Sequence, residues 1–310
     1  MIRFGLCCLF NDYPVKFQHI SATNLEKLPE DERLNKISVT CLDNSLELEK
    51  ALLAVMSLGI GAFRVLSQIL PLYTHPQYGY KLEMLPDADA IMKNFAKARN
   101  FRNGHNLRLS FHPDQFIILA SPNEQVFENS LRELEYQCMV ADLIGAENVN
   151  IHMGGTYGSK TDTIKRFAAR FPELPESVRR HLTLENDDVS YTVEDLYPLC
   201  SELNIPLVYD VHHHRCNPDS LSIPQATELC VGLWRKLGRE PYFHISSPKD
   251  GWQAKNLRPH ADYIDINDFP ECWAGMSITI DIEAKAKETA IIKLQDDLRQ
   301  KFKIGYSNSR

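Results

Sequence analysis

The chain lacks any apolar run close to the roughly 18 residues that a membrane-crossing helix needs. It opens on Met1-Ile2-Arg3-Phe4-Gly5-Leu6, without the charged, apolar and small-residue regions of a secretory leader. No G-x-G-x-x-G or Walker-type loop follows an apolar segment, which removes the common nucleotide-binding folds. The eight cysteines, at positions 7, 8, 41, 138, 200, 216, 230 and 272, form no CxxC pair. A zinc ribbon is thereby excluded, and buried free thiols in a reducing cytoplasm are expected. Positive charge is not in excess either. The formal net charge is −7, so no global basic field announces a nucleic-acid partner. A local basic rim or bound divalent cations can still neutralise phosphates. No low-complexity linker divides the 310 residues.

What the chain does have is alternation. Apolar, strand-like runs fall at residues 2–7, 62–66, 107–111, 148–152, 182–185, 206–211, 242–245 and 277–282. Amphipathic segments separate them, with apolar residues at helical spacing. Leu46, Leu48, Leu52, Leu53, Val55 and Met56 mark the first. Phe127, Leu131, Leu134, Met139 and Leu143 mark another, which Gly145 closes. Later ones span residues 193–203, 225–237 and 283–302. Strands alternating with helices imply parallel pairing through right-handed crossovers. Eight such units predict an α/β protein, a single-domain (β/α)8 TIM barrel over residues 1–310. Residues 16–36 read as a long first loop and residues 303–310 as a frayed tail.

The strand ends carry the chemistry. The sixth strand runs into Tyr209-Asp210-Val211-His212-His213-His214, and packing does not account for a carboxylate and three imidazoles there. His112, His152, Glu185, His244 and Glu283 also lie at or just past the C-terminal ends of apolar segments. In a TIM barrel those ends converge on the active site. Imidazole and carboxylate are ligands that zinc and manganese prefer, and burying several acids unpaired is costly. A shared metal site is therefore expected. Glu185 is central and is the candidate bridge between two divalent ions, with His213 and His260 as candidates for a third. By strand parity His212 and His214 should point away from the centre. His75, after the second strand, is a further candidate ligand or phosphate contact. Lys160 follows the glycine-rich loop Gly154-Gly155-Thr156-Tyr157-Gly158 and is read, with Tyr157, as a backbone-phosphate contact.

Taken in order, several segments resemble the UV damage endonucleases, DNA-repair TIM barrels related to endonuclease IV. They are Phe63-Arg64-Val65-Leu66-Ser67 with His75-Pro76, His112-Pro113-Asp114-Gln115-Phe116, Asn150-Ile151-His152-Met153-Gly154-Gly155 and Leu184-Glu185-Asn186-Asp187-Asp188. Asp210 to Pro218, His244-Ile245-Ser246-Ser247, His260-Ala261-Asp262-Tyr263 and Ile282-Glu283-Ala284-Lys285-Ala286-Lys287-Glu288 complete the set. The resemblance implies a metal-dependent endonuclease acting on double-stranded DNA that bears UV lesions. Incision would fall immediately 5′ to cyclobutane dimers, 6-4 photoproducts or abasic sites, leaving a 3′-hydroxyl and a 5′-phosphate through attack by a metal-activated hydroxide. It maps metal positions onto His75, His112, His152, Glu185, Asp210, His213, His244, His260 and Glu283, with Glu185, His213 and His244 as catalytic residues. Two or three manganese ions are expected, with zinc or magnesium as alternatives, in a cytoplasmic monomer. Gln115 and Phe116 match a pair that probes the duplex opposite the lesion.

The chain departs from the family pattern in two ways. Leu6 and Cys7 stand where an aromatic residue is expected beside the damaged bases, and Tyr242 stands where some relatives carry a lysine that can be carboxylated. Residue types alone also admit a sugar isomerase of the xylose isomerase type, another TIM barrel with Glu, Asp and His ligands. The many imidazoles, and the basic loops expected over residues 160–170 and 249–258, favour phosphate instead.

Overall fold

The computed structural model describes residues 2–302. Eight parallel strands close a barrel in chain order: β1 (Ile2–Cys7), β2 (Ala62–Val65), β3 (Arg108–Phe111), β4 (Asn148–His152), β5 (Leu182–Glu185), β6 (Leu207–Asp210), β7 (Tyr242–Ile245) and β8 (Ile278–Ile282). Each expected strand is present, with ends shifted by at most one residue. The helices are α1 (Ala22–Glu26), α2 (Glu30–Ser57), α3 (Ala88–Gly104), α4 (Glu124–Ile144), α5 (Lys160–Arg170), α6 (Glu176–His181), α7 (Val193–Leu203), α8 (Val211–Cys216), α9 (Ile223–Lys236) and α10 (Lys287–Phe302). This is a (β/α)8 TIM barrel. The expected frayed tail at 303–310 lies outside the described residues.

Local chemistry explains the element ends. Gly145 adopts φ +76° after α4, the left-handed conformation that closes a helix. Ser222 and Gln225 form a capping box that starts α9 two residues earlier than apolar spacing indicates. Two expected loops are helical instead. Residues 16–36 contain α1 and the first turns of α2, where Glu30, Asp31 and Glu32 complement the helix dipole. Lys160–Arg170 is α5, capped by Ser159 and seated through buried Thr163 and Phe167.

Helices pack on the outside of the barrel through apolar stripes such as fully buried Leu48, Leu52 and Val55 of α2. Burying each such side chain contributes about 1.5–3 kcal/mol. All eight cysteines are free, and Cys7, Cys41, Cys138, Cys200 and Cys230 are buried. No helix among the described residues is long and apolar enough to cross a membrane.

The barrel interior is polar in two tiers, because side chains two apart on a strand share a face. In the lower tier Arg108 donates to Thr279 at 2.7 Å and lies 4.6 Å over the ring of Tyr242. One step up each strand the same faces present His244 and Asp281. Gly5 pairs with Asp281 in register, and a Cβ at Gly5 would sit 2.0 Å from Asp281 Oδ1. Only glycine leaves room there for the acid.

Candidate active site

The upper tier ends in a buried cluster. His152, Glu185 and Asp210 are the last residues of β4, β5 and β6, His112 and Glu283 follow β3 and β8 directly, and His244 lies in β7. Glu185 is fully buried at the centre. Its Oε2 is 3.1 Å from His112 Nε2 and 3.9 Å from His152 Nε2, and its Oε1 is 3.0 Å from His244 Nδ1 and 3.3 Å from His213 Nδ1. Asn150 also donates to Oε2. One carboxylate thus gathers four imidazoles from four separate β/α units.

Three sets of side chains bring potential ligand atoms within 4.8 Å of one another: His112, His152 and Glu185; His112, His244 and Glu283; and Glu185, Asp210 and His213. Glu185 and His112 are each shared by two sets. A carboxylate offers two oxygens and can serve two cations, whereas each imidazole nitrogen offers one lone pair. The donors are nitrogen and oxygen only, which suits zinc, manganese or magnesium. Asp210 Oδ2 and the Nδ1 atoms of His112 and His152 are buried without a hydrogen-bond partner. Buried polar atoms are rarely left so, and a cation here would satisfy the acid. The residues therefore fit divalent-metal use.

The electrostatics are strongly polarised. Burial opposes ionisation of Glu185, but His244 and His152 outweigh it and hold its pKa well below 4.5. Burial also opposes charge on His213, yet Asp210 and Glu185 raise it well above 6.5. For His152 burial, helped by the neighbouring His112 and His213, outweighs the opposing pull of Glu185 and pushes the pKa down to about 4. Displaced pKa values of opposite sense in one recess are characteristic of functional sites.

His213 reaches the cluster by a route different from the one expected. The residues after Asp210 are not strand but the short helix α8, and Asp210 caps it by accepting the His213 N–H at 2.8 Å. The i to i+3 step of a helical turn, not strand parity, brings both side chains to one place. His212 and His214 do turn away, but into protein rather than solvent. His214 Nδ1 is 2.6 Å from the Tyr209 hydroxyl and its Nε2 is 3.3 Å from Asp219, while buried His212 lies against Cys216, Trp252 and His260.

Other expected site residues divide. His260 Nδ1 is 3.7 Å from Glu283 Oε2, at the cluster's edge. His75 is not brought in, because its Nδ1 accepts from the N–H groups of Gln77 and Tyr78 at 3.2 Å and its ring stacks on Tyr78. Among the described residues no metal-compatible set includes His75 or His260. Phe116 is 71% exposed on the loop after β3. It separates a cavity of about 690 Å³, which His75 also lines, from one of about 520 Å³ lined by Gln115, His152 and His213. Lys160 is committed to Asp195 at 2.6 Å, and Tyr157 is partly exposed at φ +44°. Leu6 is core, whereas Cys7 lines a recess beside Glu283.

Sequence reasoning missed Arg64 and Asp281. The Arg64 guanidinium donates to Asp281 at 3.0 Å, to Glu283 at 2.7 Å and to His244 Nε2 at 2.9 Å. The signal was present: each is a charged residue inside an otherwise apolar strand, which is costly unless the charge is paired.

Known proteins share this arrangement of chain. Residues 2–308 match the family model described as UV-endonuclease UvdE. The chain is 31% identical over 312 residues to the UV DNA damage endonuclease of Bacillus velezensis, covering 96% of this chain and 94% of that protein. It is 32% identical over 310 residues to the protein of the same name from Bacillus thuringiensis subsp. konkukian, with 96% and 95% covered. Among solved structures, that titled SacUVDE superposes with a TM-score of 0.85 at 26% identity, covering 98% of this chain and 100% of the other. Endonuclease IV from Thermus thermophilus follows the same fold, with a TM-score of 0.60 at 16% identity over 96% and 99%.

Proposed function

The chain belongs to the UV-endonuclease UvdE family and is a DNA-repair endonuclease, and from that premise we propose where and how it cuts. The substrate is double-stranded DNA carrying cyclobutane dimers, 6-4 photoproducts or abasic sites. The cut falls immediately 5′ to the lesion and leaves a 3′-hydroxyl and a 5′-phosphate. The observation that carries this reading is the buried Glu185 carboxylate with His112, His152, His213 and His244 gathered around it.

Two or three divalent ions, manganese first among them, would be held by Glu185 at the centre with His112, His152, Asp210, His213 and Glu283, while His244, its nitrogens facing Arg64 and Glu185, would orient the carboxylate. His260 joins from the edge, and His75 joins only if its loop turns its free nitrogen inward. When bound, such ions supply charge neutralisation of the scissile phosphate and activation of water. The protein's own groups hold the donors in place. Asn186 O lies 3.0 Å from His213 Nδ1 and orients the ring. Asn150 and His244 orient Glu185, and Arg64 fixes His244 and Glu283. Gln115 and Phe116, carried on a turn in which Asp114 accepts the Phe116 N–H at 3.1 Å, enter the duplex where the damaged bases leave their stack. Tyr157 and Lys160 flank the bound backbone, the latter once Asp195 releases it.

The sugar-isomerase reading has only a shared fold behind it. The xylose isomerase domain protein from Planctomyces limnophilus superposes with a TM-score of 0.53 at 13% identity. A duplex with one defined cyclobutane dimer tests the proposal. With manganese, a single product ending in a 3′-hydroxyl directly 5′ to the dimer is expected, and a cut elsewhere overturns the assignment.

A further inference from the structure

The turn that follows β8 holds a second feature beside the cluster. A cavity of about 440 Å³ opens next to Glu283, lined by Arg64, Arg258, His260, Glu283, Lys285 and Lys287. Four of these residues are permanently cationic and one is a carboxylate, in a chain whose formal net charge is −7. The arginines are already engaged: Arg64 with Asp281 and Glu283, Arg258 with Asp188. Lys285 and Lys287 enter no ion pair among the described residues.

These lysines stand on a rigid turn. The Lys285 N–H donates to Ala261 O at 3.1 Å and the Ala286 N–H to Asp262 O at 3.0 Å. The Lys285 carbonyl accepts from Asn11 Nδ2 at 3.2 Å. Buried Glu288 accepts the N–H groups of Asn11 and Asp12, at 3.0 Å and 2.6 Å, and so ties the turn to the loop after β1. Lys287 is held at φ +53°, a conformation that non-glycine residues disfavour and that persists only where surrounding structure imposes it. The fold thus fixes the backbone of two lysines without ion-pair partners beside the cluster, where an anion or a polyanion would meet them.

We propose that this recess is a phosphate subsite, in which Lys285 and Lys287 hold a backbone phosphate of the incised strand next to the one at the cluster. Ammonium groups bind phosphate as point charges, without the bidentate geometry of arginine, and contribute affinity without sequence preference. The subsite grips the strand at a second point and fixes its register on the Glu283 side. The inference rests on the endonuclease reading.

The test compares wild type with a doubly substituted protein, Lys285→Gln with Lys287→Asn, the asparagine chosen because it tolerates the left-handed backbone. Duplex binding is measured by anisotropy over a salt series, and metal content by elemental analysis. The slope of log K against log salt should fall by about 1 in the variant, for the one phosphate the two lysines hold, with metal content unchanged. Arginine at both positions should restore the slope. Inorganic phosphate, exchanged for chloride at constant ionic strength, should weaken duplex binding by wild type more than by the variant. An unchanged slope, a loss of metal, or equal weakening of both proteins by phosphate overturns the subsite. If wild type incises irradiated duplex while the variant keeps the full slope, the subsite alone fails. If wild type neither binds nor incises, the endonuclease reading fails first.

Discussion

Arg64 donates from Nη2 to Nε2 of His244 across 2.9 Å. A guanidinium has no acceptor, so Nε2 must accept, and the ring proton sits on Nδ1, 3.0 Å from Glu185 Oε1. The same guanidinium pairs with Asp281 and Glu283. One buried cation therefore sets a tautomer and balances two acids.

Replacing Arg64 with methionine would leave both acids buried without a counter-charge. Removing one partner of a buried pair costs about 3–5 kcal/mol. Urea unfolding of Arg64→Met should show a loss of that size, with Arg64→Lys recovering part of it. An unchanged midpoint would mean that Arg64 does not neutralise the cluster.

Gly5→Ala tests the same tier from the opposite side of the strand pair. Its Cβ would meet Asp281 Oδ1 at 2.0 Å and displace the carboxylate that anchors Arg64. Overpacking of this kind costs about 1–3 kcal/mol. Lower stability together with lower metal content is expected, and a variant with wild-type metal content would separate Asp281 from the site.

The barrel was legible because each strand is short, apolar and bounded, and because the period-two pattern survives in every one. The strand-end residues were legible for the same reason, since a change from apolar to His, Asp or Glu marks the point where β4, β5, β6 or β8 meets the open face. Three features were not. The start of α2 is polar and follows Pro29, so it reads as loop, although its acidic first turn suits a helix. The position of His213 depends on a helical turn that begins at Asp210, and strand parity has no access to it. His75 lies on a loop whose own N–H groups occupy its Nδ1, a local competition that spacing does not encode.

Phe116 is 71% exposed between two cavities, so truncation removes little packing. Phe116→Ala should change stability by no more than about 0.5 kcal/mol. The ratio of incision on irradiated to intact duplex should fall severalfold. A lower unfolding midpoint with an unchanged ratio would return Phe116 to a structural role.

At the opposite end of the barrel, Glu147 accepts from Arg108 and Arg102, each at 2.7 Å. Burial works to raise its pKa, but Arg108, then Arg102 and Arg239, outweigh it and hold the folded value below 4.5. A depressed carboxylate contributes stability that is complete above its unfolded pKa and is lost as pH falls through the folded value. Glu147→Gln should therefore be less stable than wild type at neutral pH, with a shallower decline on acidification below about 4.5. Parallel stability curves for the two proteins would contradict this assignment.

The most direct test of the account is incision of irradiated against intact duplex by the manganese-loaded protein, run beside Glu185→Gln. The account predicts nicks in irradiated duplex only, their loss on chelation, and their loss in Glu185→Gln while duplex binding persists. Equal inactivity on both duplexes with metal bound, or full incision by Glu185→Gln, would contradict it.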